Sequence, residues 1–507
     1  MVKKVIDNVQ TRFVYNRLYE GIPEYDCSRF LVNFVDMFYP VLDLDEPRGL
    51  PGCPSYPPRE MFKLVIYGFY RGVTSIEMLA EMAEFHQIYR YVSGDIKPSS
   101  RTIRRFIQKY GVYFKILLGC SLIFANEINL TDFNHVSVDG SIKKADNNRF
   151  NVIHKDDLEI LIKYYEGDFL SAEELNKLRK PAKRFIVKED VGCEEKIELL
   201  YEMKTQLTMS GQNTIPVNDI EARWMQNKDG QSQISYNIQS SVDTTTKLIC
   251  AVNITQNPTD HDELPEIVEK TIENIKHDPQ MISADTGYHN STSIEYLHKK
   301  GITPIIPDRK QTRKEQDKIS TNPYHKDHFQ YNYKEDTYTC PEKQTLFFKY
   351  QYERPAKKEG KPNRIERKYM NYEACKNCPA LQKCTKSSHR IISEFANENT
   401  LKLKEYMDTK EAQHEYKKRG STVEAPFGIL KIFYNYNNLR THGIQQTENI
   451  MNLCALSHNI KIIQHKTQHT QRNNRIRQLP RKTINTIRNR THSNNKIKKV
   501  LTNHEKP

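Results

Sequence analysis

Two segments far apart in the chain share one pattern of residue types. Val136-Ser-Val-Asp139-Gly-Ser and Ile282-Ser-Ala-Asp285-Thr-Gly each read as a short alternating strand whose polar face ends on an aspartate just before a turn. Val136 and Val138 point one way and Ser137 and Asp139 the other; Ile282 and Ala284 oppose Ser283 and Asp285 in the same manner. Both acids then stand at strand ends. Two carboxylates brought to the rim of one sheet suit a divalent-metal site for phosphoryl transfer. Hard cations take oxygen ligands, and two metals about 4 Å apart can hold the attacking and leaving oxygens. The plainer reading is a pair of strand-to-turn junctions, because Asp-Gly and Asp-Thr-Gly form turns readily.

A third carboxylate comes from Tyr416-Lys-Lys-Arg419-Gly-Ser-Thr-Val-Glu424-Ala-Pro-Phe-Gly-Ile-Leu-Lys431. Glu424 and Lys431 are about two helical turns apart, so both can face one cleft, the glutamate toward metals and the lysine toward a DNA phosphate. The competing reading is a capping box, with Ser421 as N-cap, Glu424 three residues later and Pro426 tolerated only near a helix start. A cap accounts for the glutamate but not for Tyr416, Arg419 and Lys431, which fall where a phosphate-handling site wants them.

The elements that position these residues follow from punctuation and periodicity. Residues 1–133 read as helical. One helix starts after Pro57-Pro58 and carries Leu64, Val65, Tyr67 and Phe69; Thr74-Ser75 opens another through Met78, Leu79 and Met82. The last clear helix, after Pro98, sets Arg101, Arg104 and Arg105 beside an Ile/Phe stripe. It reads either as the DNA-reading helix of a helix-turn-helix or, equally, as a packing helix with a solvated basic face. From His135 strands and helices alternate, interrupted by a polar helical segment at about 150–232. Residues 236–243 and 248–254 form an antiparallel pair, followed by a helix through Leu264, Ile267, Val268, Ile272 and Ile275, a strand at 282–285, a helix at 294–299 and a strand at 303–307. Three strands, helix, strand, helix, strand, with acids on the first and fourth strands, is the ribonuclease H-like order, which requires a third acid on a later helix.

The expected fold is therefore α/β: a ribonuclease H-like core with insertions, preceded by an all-α, helix-turn-helix-like domain. The divisions expected are a helical domain at 1–133, the core at 134–307, a Cys-rich insertion at 308–400, the closing part of the core at 401–463 and a basic tail at 464–507.

With 77 Lys and Arg against 63 Asp and Glu, a net charge of +14 and a pI near 9.0, the 507-residue chain calls for a polyanionic partner, nucleic acid before acidic membrane. It has no run of eighteen apolar residues and no apolar signal-peptide core, which points to a soluble intracellular protein. The ten cysteines lack the dense pattern of secreted domains and read as reduced thiols. Four of them, Cys340, Cys375, Cys378 and Cys384, combine a Cys-x2-Cys knuckle with two further thiolates. That is the ligand count of a structural zinc, the alternative being separate buried thiols. His261-Asp262-Glu263 reads as helix-start chemistry rather than a metal site. After Ile463 the chain is rich in Lys, Arg, Asn, Thr and Gln, with Glu505 its only acid; it reads as an arm along phosphates or a solvated tail.

Val138-Asp139-Gly140-Ser141, Ala284-Asp285-Thr286-Gly287-Tyr288 and Tyr416-x2-Arg419-x4-Val423-Glu424-x-Pro426-Phe427-Gly428-x2-Lys431 together resemble the DDE transposases of bacterial insertion sequences, most closely the IS1182-like group within the IS4/IS5 assemblage. The resemblance extends to Pro57-Pro58-Arg59-Glu60-Met61 with the helices after it, and to Asp219-Ile-Glu-Ala-Arg-Trp-Met225 leading into Tyr236-Asn-Ile-Gln. It implies that Asp139, Asp285 and Glu424 bind Mg2+ (or Mn2+) and that Tyr416, Arg419 and Lys431 match the Tyr-Arg-Glu-Lys signature. One spacing departs: four residues separate Arg419 from Glu424, where the IS4 signature has three. The implied activity is cleavage at the element's terminal inverted repeats and strand transfer into target DNA, by a homodimer or larger assembly at the bacterial nucleoid in the cytoplasm. Two rivals are a ribonuclease H-like nuclease that does not join strands and a non-catalytic, transposase-derived DNA-binding protein. The second predicts a damaged triad, whereas all three acids stand in motif context.

Overall fold

The computed structural model describes residues 20–44, 55–168, 170–186, 192–227, 229–315, 318–355, 363–432 and 439–468. Helix α1 (Cys27–Phe38) is capped by Asp26, whose carboxylate accepts the Ser28 N–H at 2.8 Å, and α2 (Pro58–Tyr70) opens on a proline that has no N–H to leave unsatisfied. The next three are α3 (Ile76–Phe85), α4 (Gln87–Val92) and α5 (Ser100–Tyr110), with Ser75 and Ser99 capping the first and third. A sixth helix, α6 (Tyr113–Glu127), escapes the sequence reading. It is buried on nearly every side from Tyr113 to Ala125, so it has no amphipathic stripe to announce it. Among the described residues no single helix is long and apolar enough to cross a membrane.

After β1 (His135–Lys144) comes a small unit of β2 (Val152–His154), α7 (Lys155–Tyr165), α8 (Glu194–Ser210) and β3 (Thr214–Pro216), closed around its own core of Ile153, Leu161, Tyr165, Leu200 and Met203. The main sheet is completed by β4 (Arg223–Gln226), β5 (Ser232–Asp243), β6 (Ile249–Thr255), β7 (Met281–Ser283) and β8 (Thr303–Ile305), with α9 (Leu264–Ile275) before β7 and α10 (Ser291–Lys299) before β8. Its order is β4-β5-β1-β7-β8, with β6 also on β5; β1 runs antiparallel to β5 and parallel to β7, and β7 parallel to β8. The architecture is mixed α/β.

One expectation is corrected here. Asp139 does not close its strand: the ladder with β5 continues from Asp139↔Ser240 through Gly140↔Gln239 to Lys144↔Ser235. Gly140 suggests a turn, but its missing side chain serves a close approach, since a Cβ there would run into the Asp260 carboxylate and the Gln239 amide.

Beyond β8 a second, antiparallel sheet is formed by β9 (Gln330–Asn332), β10 (Thr337–Thr339), β11 (Thr345–Arg354), β12 (Arg364–Met370) and β13 (Ile391–Phe395), in the order β13-β12-β11-β10-β9. Three helices close the described chain: α11 (Glu398–Met407), α12 (Lys410–Ile432) and α13 (Ile444–Gln468). The capping-box reading fails on α12. The helix starts eleven residues before Ser421, with the Thr409 hydroxyl accepting the Ala412 N–H at 3.2 Å, and the Ser421 hydroxyl donates back to the Lys418 carbonyl as in a helix interior. Pro426 is likewise inside the helix. Helix α13 runs five residues past Ile463; Thr467 is buried and the Tyr70 hydroxyl donates to Gln464 Oε1 at 3.0 Å. Those residues are therefore packed, and the rest of the expected tail, 469–507, lies outside the described residues.

Two apolar clusters hold the sheet. One is continuous from α1–α6 through β5 and β6 to α13, so the amino-terminal helices share a core with the sheet. The other joins Val138, Ile282 and Ile305 of the sheet to Leu264, Leu297, Leu403 and Met407 on the helices.

Candidate active site

β1 pairs with β7 only from His135↔Met281 to Ser137↔Ser283, so the sheet opens just beyond. Asp139 stands on the stretch of β1 that continues past this point. The chain leaving β7 turns through Asp285, whose carboxylate accepts the Gly287 N–H at 2.7 Å and caps the turn Thr286–Tyr288. The carboxyl ends of parallel strands are where α/β sheets open a crevice.

Helix α12 supplies the group between the acids. One Arg419 guanidinium nitrogen lies 2.9 Å from Asp139 Oδ1 and 3.9 Å from Asp285 Oδ2. Two of the sequence-predicted acids and the residue whose spacing departs from the IS4 signature thus meet at one place. Thr422 on the same helix accepts from Lys247 Nζ at 2.7 Å, which ties α12 to the turn between β5 and β6. Glu424 and Lys431 belong to α12, but their side chains lie outside the described residues. Tyr416 is half-buried against the second apolar cluster. Arg101, Arg104 and Arg105 are exposed on α5, where Arg104 pairs with Glu77 at 2.9 Å.

The sequence reading missed Asp260. Its Oδ1 accepts from Asn237 Nδ2 at 2.8 Å and Gln239 Nε2 at 2.6 Å, and its carboxylate lies against Gly140 and near Gly287, the glycines that follow the two site acids by one and two residues. Gln239 also accepts the Tyr288 hydroxyl. Burial pushes that hydroxyl far up, Asp260, Asp139 and Asp285 add to the effect, and Arg419 opposes it; Tyr288 stays protonated beside the acids. The signal lay in Tyr236-Asn-Ile-Gln: two buried amides on one face of β5 require an acceptor. His261 and Asp262 pair with each other at 3.1 Å, and Glu263, bonded to Asn257, immediately precedes α9 as expected, but its side chain makes no capping bond to the helix.

Carboxylate oxygens such as those of Asp139 and Asp285 are the donors a hard divalent cation takes. Among the described residues no three His, Cys, Asp or Glu side chains are disposed as a metal site. For the acids this set lacks Glu424. For the thiols it is complete: Cys340, Cys375, Cys378 and Cys384 line one cavity of about 20 Å3, where burial and then the neighbouring sulfurs push the Cys384 thiol up against the pull of Arg390, but their side chains are not disposed as a metal site.

The family model described as "Transposase domain (DUF772)" matches residues 16–109, which include α1–α4 and most of α5, and the one described as "Transposase DDE domain" matches 339–464, which include α12. No curated protein and no solved structure matches the chain. Asp139, Asp260 and Asp285 lie between the two matched stretches. Transposase domains, a DDE domain among them, thus stand on both sides of an acid pair gathered around a residue of the second, and over these two stretches the chain is similar to transposases.

Proposed function

We propose that this transposase cuts DNA at the ends of its element and joins the freed 3′ ends to target DNA by metal-dependent phosphoryl transfer in a ribonuclease H-like core. The observation that carries the reading is Asp139 and Asp285 meeting at Arg419 where the sheet opens. The order β6-β5-β1-β7-β8, with β5 alone antiparallel to β1, β7 and β8 among its near neighbours, supports that core. Asp139, Asp285 and Glu424 would hold Mg2+ or Mn2+, which when bound supplies Lewis acidity for the attacking and leaving oxygens.

The remaining steps fall to the protein. Arg419 offsets repulsion between the acids and can turn to a phosphate oxygen when they are otherwise neutralised; its buried Nε has no partner among the described residues. Lys431 and Tyr416 contact phosphate. Arg101, Arg104 and Arg105 on α5 face the element ends, and the two ends call for at least a dimer acting on DNA at the nucleoid. The test combines full-length protein, Mg2+, labelled fragments ending in the inverted repeats that flank the coding region, and a target plasmid. Nicked ends and joined products are expected. Nicks without joining would make the chain a nuclease, and neither product from a protein that binds the ends would refute the reading.

A further inference from the structure

Beside the acid pair runs a line of shielded polar side chains that the proposed reaction does not use. Glu415 Oε2 lies 3.1 Å from His135 Nδ1, His135 Nε2 lies 3.1 Å from Ser283 Oγ, and Ser283 Oγ lies 2.6 Å from Ser137 Oγ. Both serines are fully buried, His135 is 7% exposed and the Glu415 side chain 16%. Polar groups this deep are costly unless bonded, and valine or isoleucine would serve the apolar core better at these positions.

Each member sits on an element that carries a group of the site. His135 and Ser137 precede Asp139 by four and two residues on β1 and share its face; Ser283 precedes Asp285 by two; Glu415 lies one turn before Arg419 on the helix that also contains Glu424. Hydrogen bonds fix direction and register where apolar contacts allow sliding. Burial, with Lys418, pushes the His135 ring down against the pull of Glu415 and Asp243, so the ring is neutral near pH 7. Glu415, held below its usual range by Lys418 and His135 despite burial, then accepts from Nδ1–H, and Nε2 accepts from the Ser283 hydroxyl.

We propose that Glu415, His135, Ser283 and Ser137 form a positioning latch that sets α12, β1 and β7 at the spacing needed for cation binding; it rests on the reading of Asp139, Asp285 and Glu424 as the metal-binding acids. The test uses full-length protein with Mn2+ alone as the probe, titrated by electron paramagnetic resonance, for Glu415→Gln, His135→Asn, their double variant, Ser283→Ala and Asp139→Ala. Melting temperature and binding to element ends are measured alongside. Each latch variant should weaken Mn2+ binding by about tenfold, the lower range for groups that orient metal ligands. The double variant should be no worse than the poorer single, with end binding unchanged.

Unchanged Mn2+ affinity, or additive losses in the double variant, would overturn the latch. So would losses that track melting in every variant including Ser283→Ala, because the line would then be a core contact only. Asp139→Ala separates the levels. If it abolishes Mn2+ binding while the latch variants bind normally, the latch alone fails; if it binds normally, the metal reading fails with it.

Discussion

The six-stranded sheet rests on two apolar clusters that draw on helices from the whole chain, whereas the five-stranded sheet buries five apolar side chains, Phe329, Tyr338, Leu346, Tyr369 and Ile392, and leaves Phe347, Phe348, Tyr350 and Tyr352 of β11 exposed. What it lacks in core it has in charge. Glu394 accepts from Lys326 at 2.7 Å and from the Tyr338 hydroxyl at 2.9 Å, and pairs with Lys404, which also meets Asp308 at 3.3 Å. Asp336 receives Arg367 and the Tyr331 and Tyr369 hydroxyls, and Glu366 receives Lys368, Arg354 and Tyr352. The difference teaches that acids which must be placed closely are carried by a sheet fixed through burial, while a thin sheet presenting surface is stapled by ion pairs. The two should respond differently to loss of charge.

The largest effect should follow Glu394→Ala. It leaves Lys404 buried with Asp308 as its remaining acid, and breaking a buried pair in this way costs about 3–5 kcal/mol. Hydrogen exchange should accelerate in β9–β13 and stay slow in β1, β5 and β7; equal loss in both sheets would break the comparison. Acid should act the same way. Lys404 and Lys326 outweigh burial and hold the Glu394 carboxyl down at about 2. A depressed folded-state pKa gives stability that is complete above the usual 4.5 of the unfolded chain and is lost as pH falls from there toward 2. The five-stranded sheet should lose protection first in that window.

How much of this was legible in the sequence varies by region, for physical reasons. Asp139 and Asp285 were legible because period-2 alternation survives wherever one strand face is buried, and Ser75 because a cap is local chemistry. The length of β1 was not, since Gly140 marks a close approach by Asp260 rather than a turn. Nor was the run of α12 through Ser421 and Pro426, where Glu415, Arg419 and Thr422 contact distant strands and turns. The five-stranded sheet escaped because its strands mix tyrosine with charge instead of alternating apolar and polar residues. Asp260 escaped because it stands in the connection between β6 and α9 while its partners stand on β5.

A smaller effect sharpens the comparison on the amino-terminal helices. The basic face of α5 stands on Ile103, Phe106 and Ile107, which belong to the core shared with the six-stranded sheet. Removing charge there should leave the fold intact, unlike in the five-stranded sheet. Arg101→Ala should change stability by less than about 0.5 kcal/mol and lower the preference for element ends over random DNA by about fivefold in competition titrations. An equal fall on random DNA would reduce α5 to a phosphate contact, and a large loss of stability would erase the contrast.

The central claim is that Asp139, Asp285 and Glu424 form one cation-binding site for DNA cleavage. Single-turnover cleavage of an element end in Mg2+ tests it most directly, with Asp139→Ala, Asp285→Ala and Glu424→Ala compared at saturating protein. Each should slow cleavage by about a thousandfold or more while end binding changes only a few-fold, because phosphate contacts from Lys and Arg carry most of the affinity. Near-normal cleavage by Asp139→Ala or Asp285→Ala would contradict the account, and near-normal cleavage by Glu424→Ala would remove the third acid from the site.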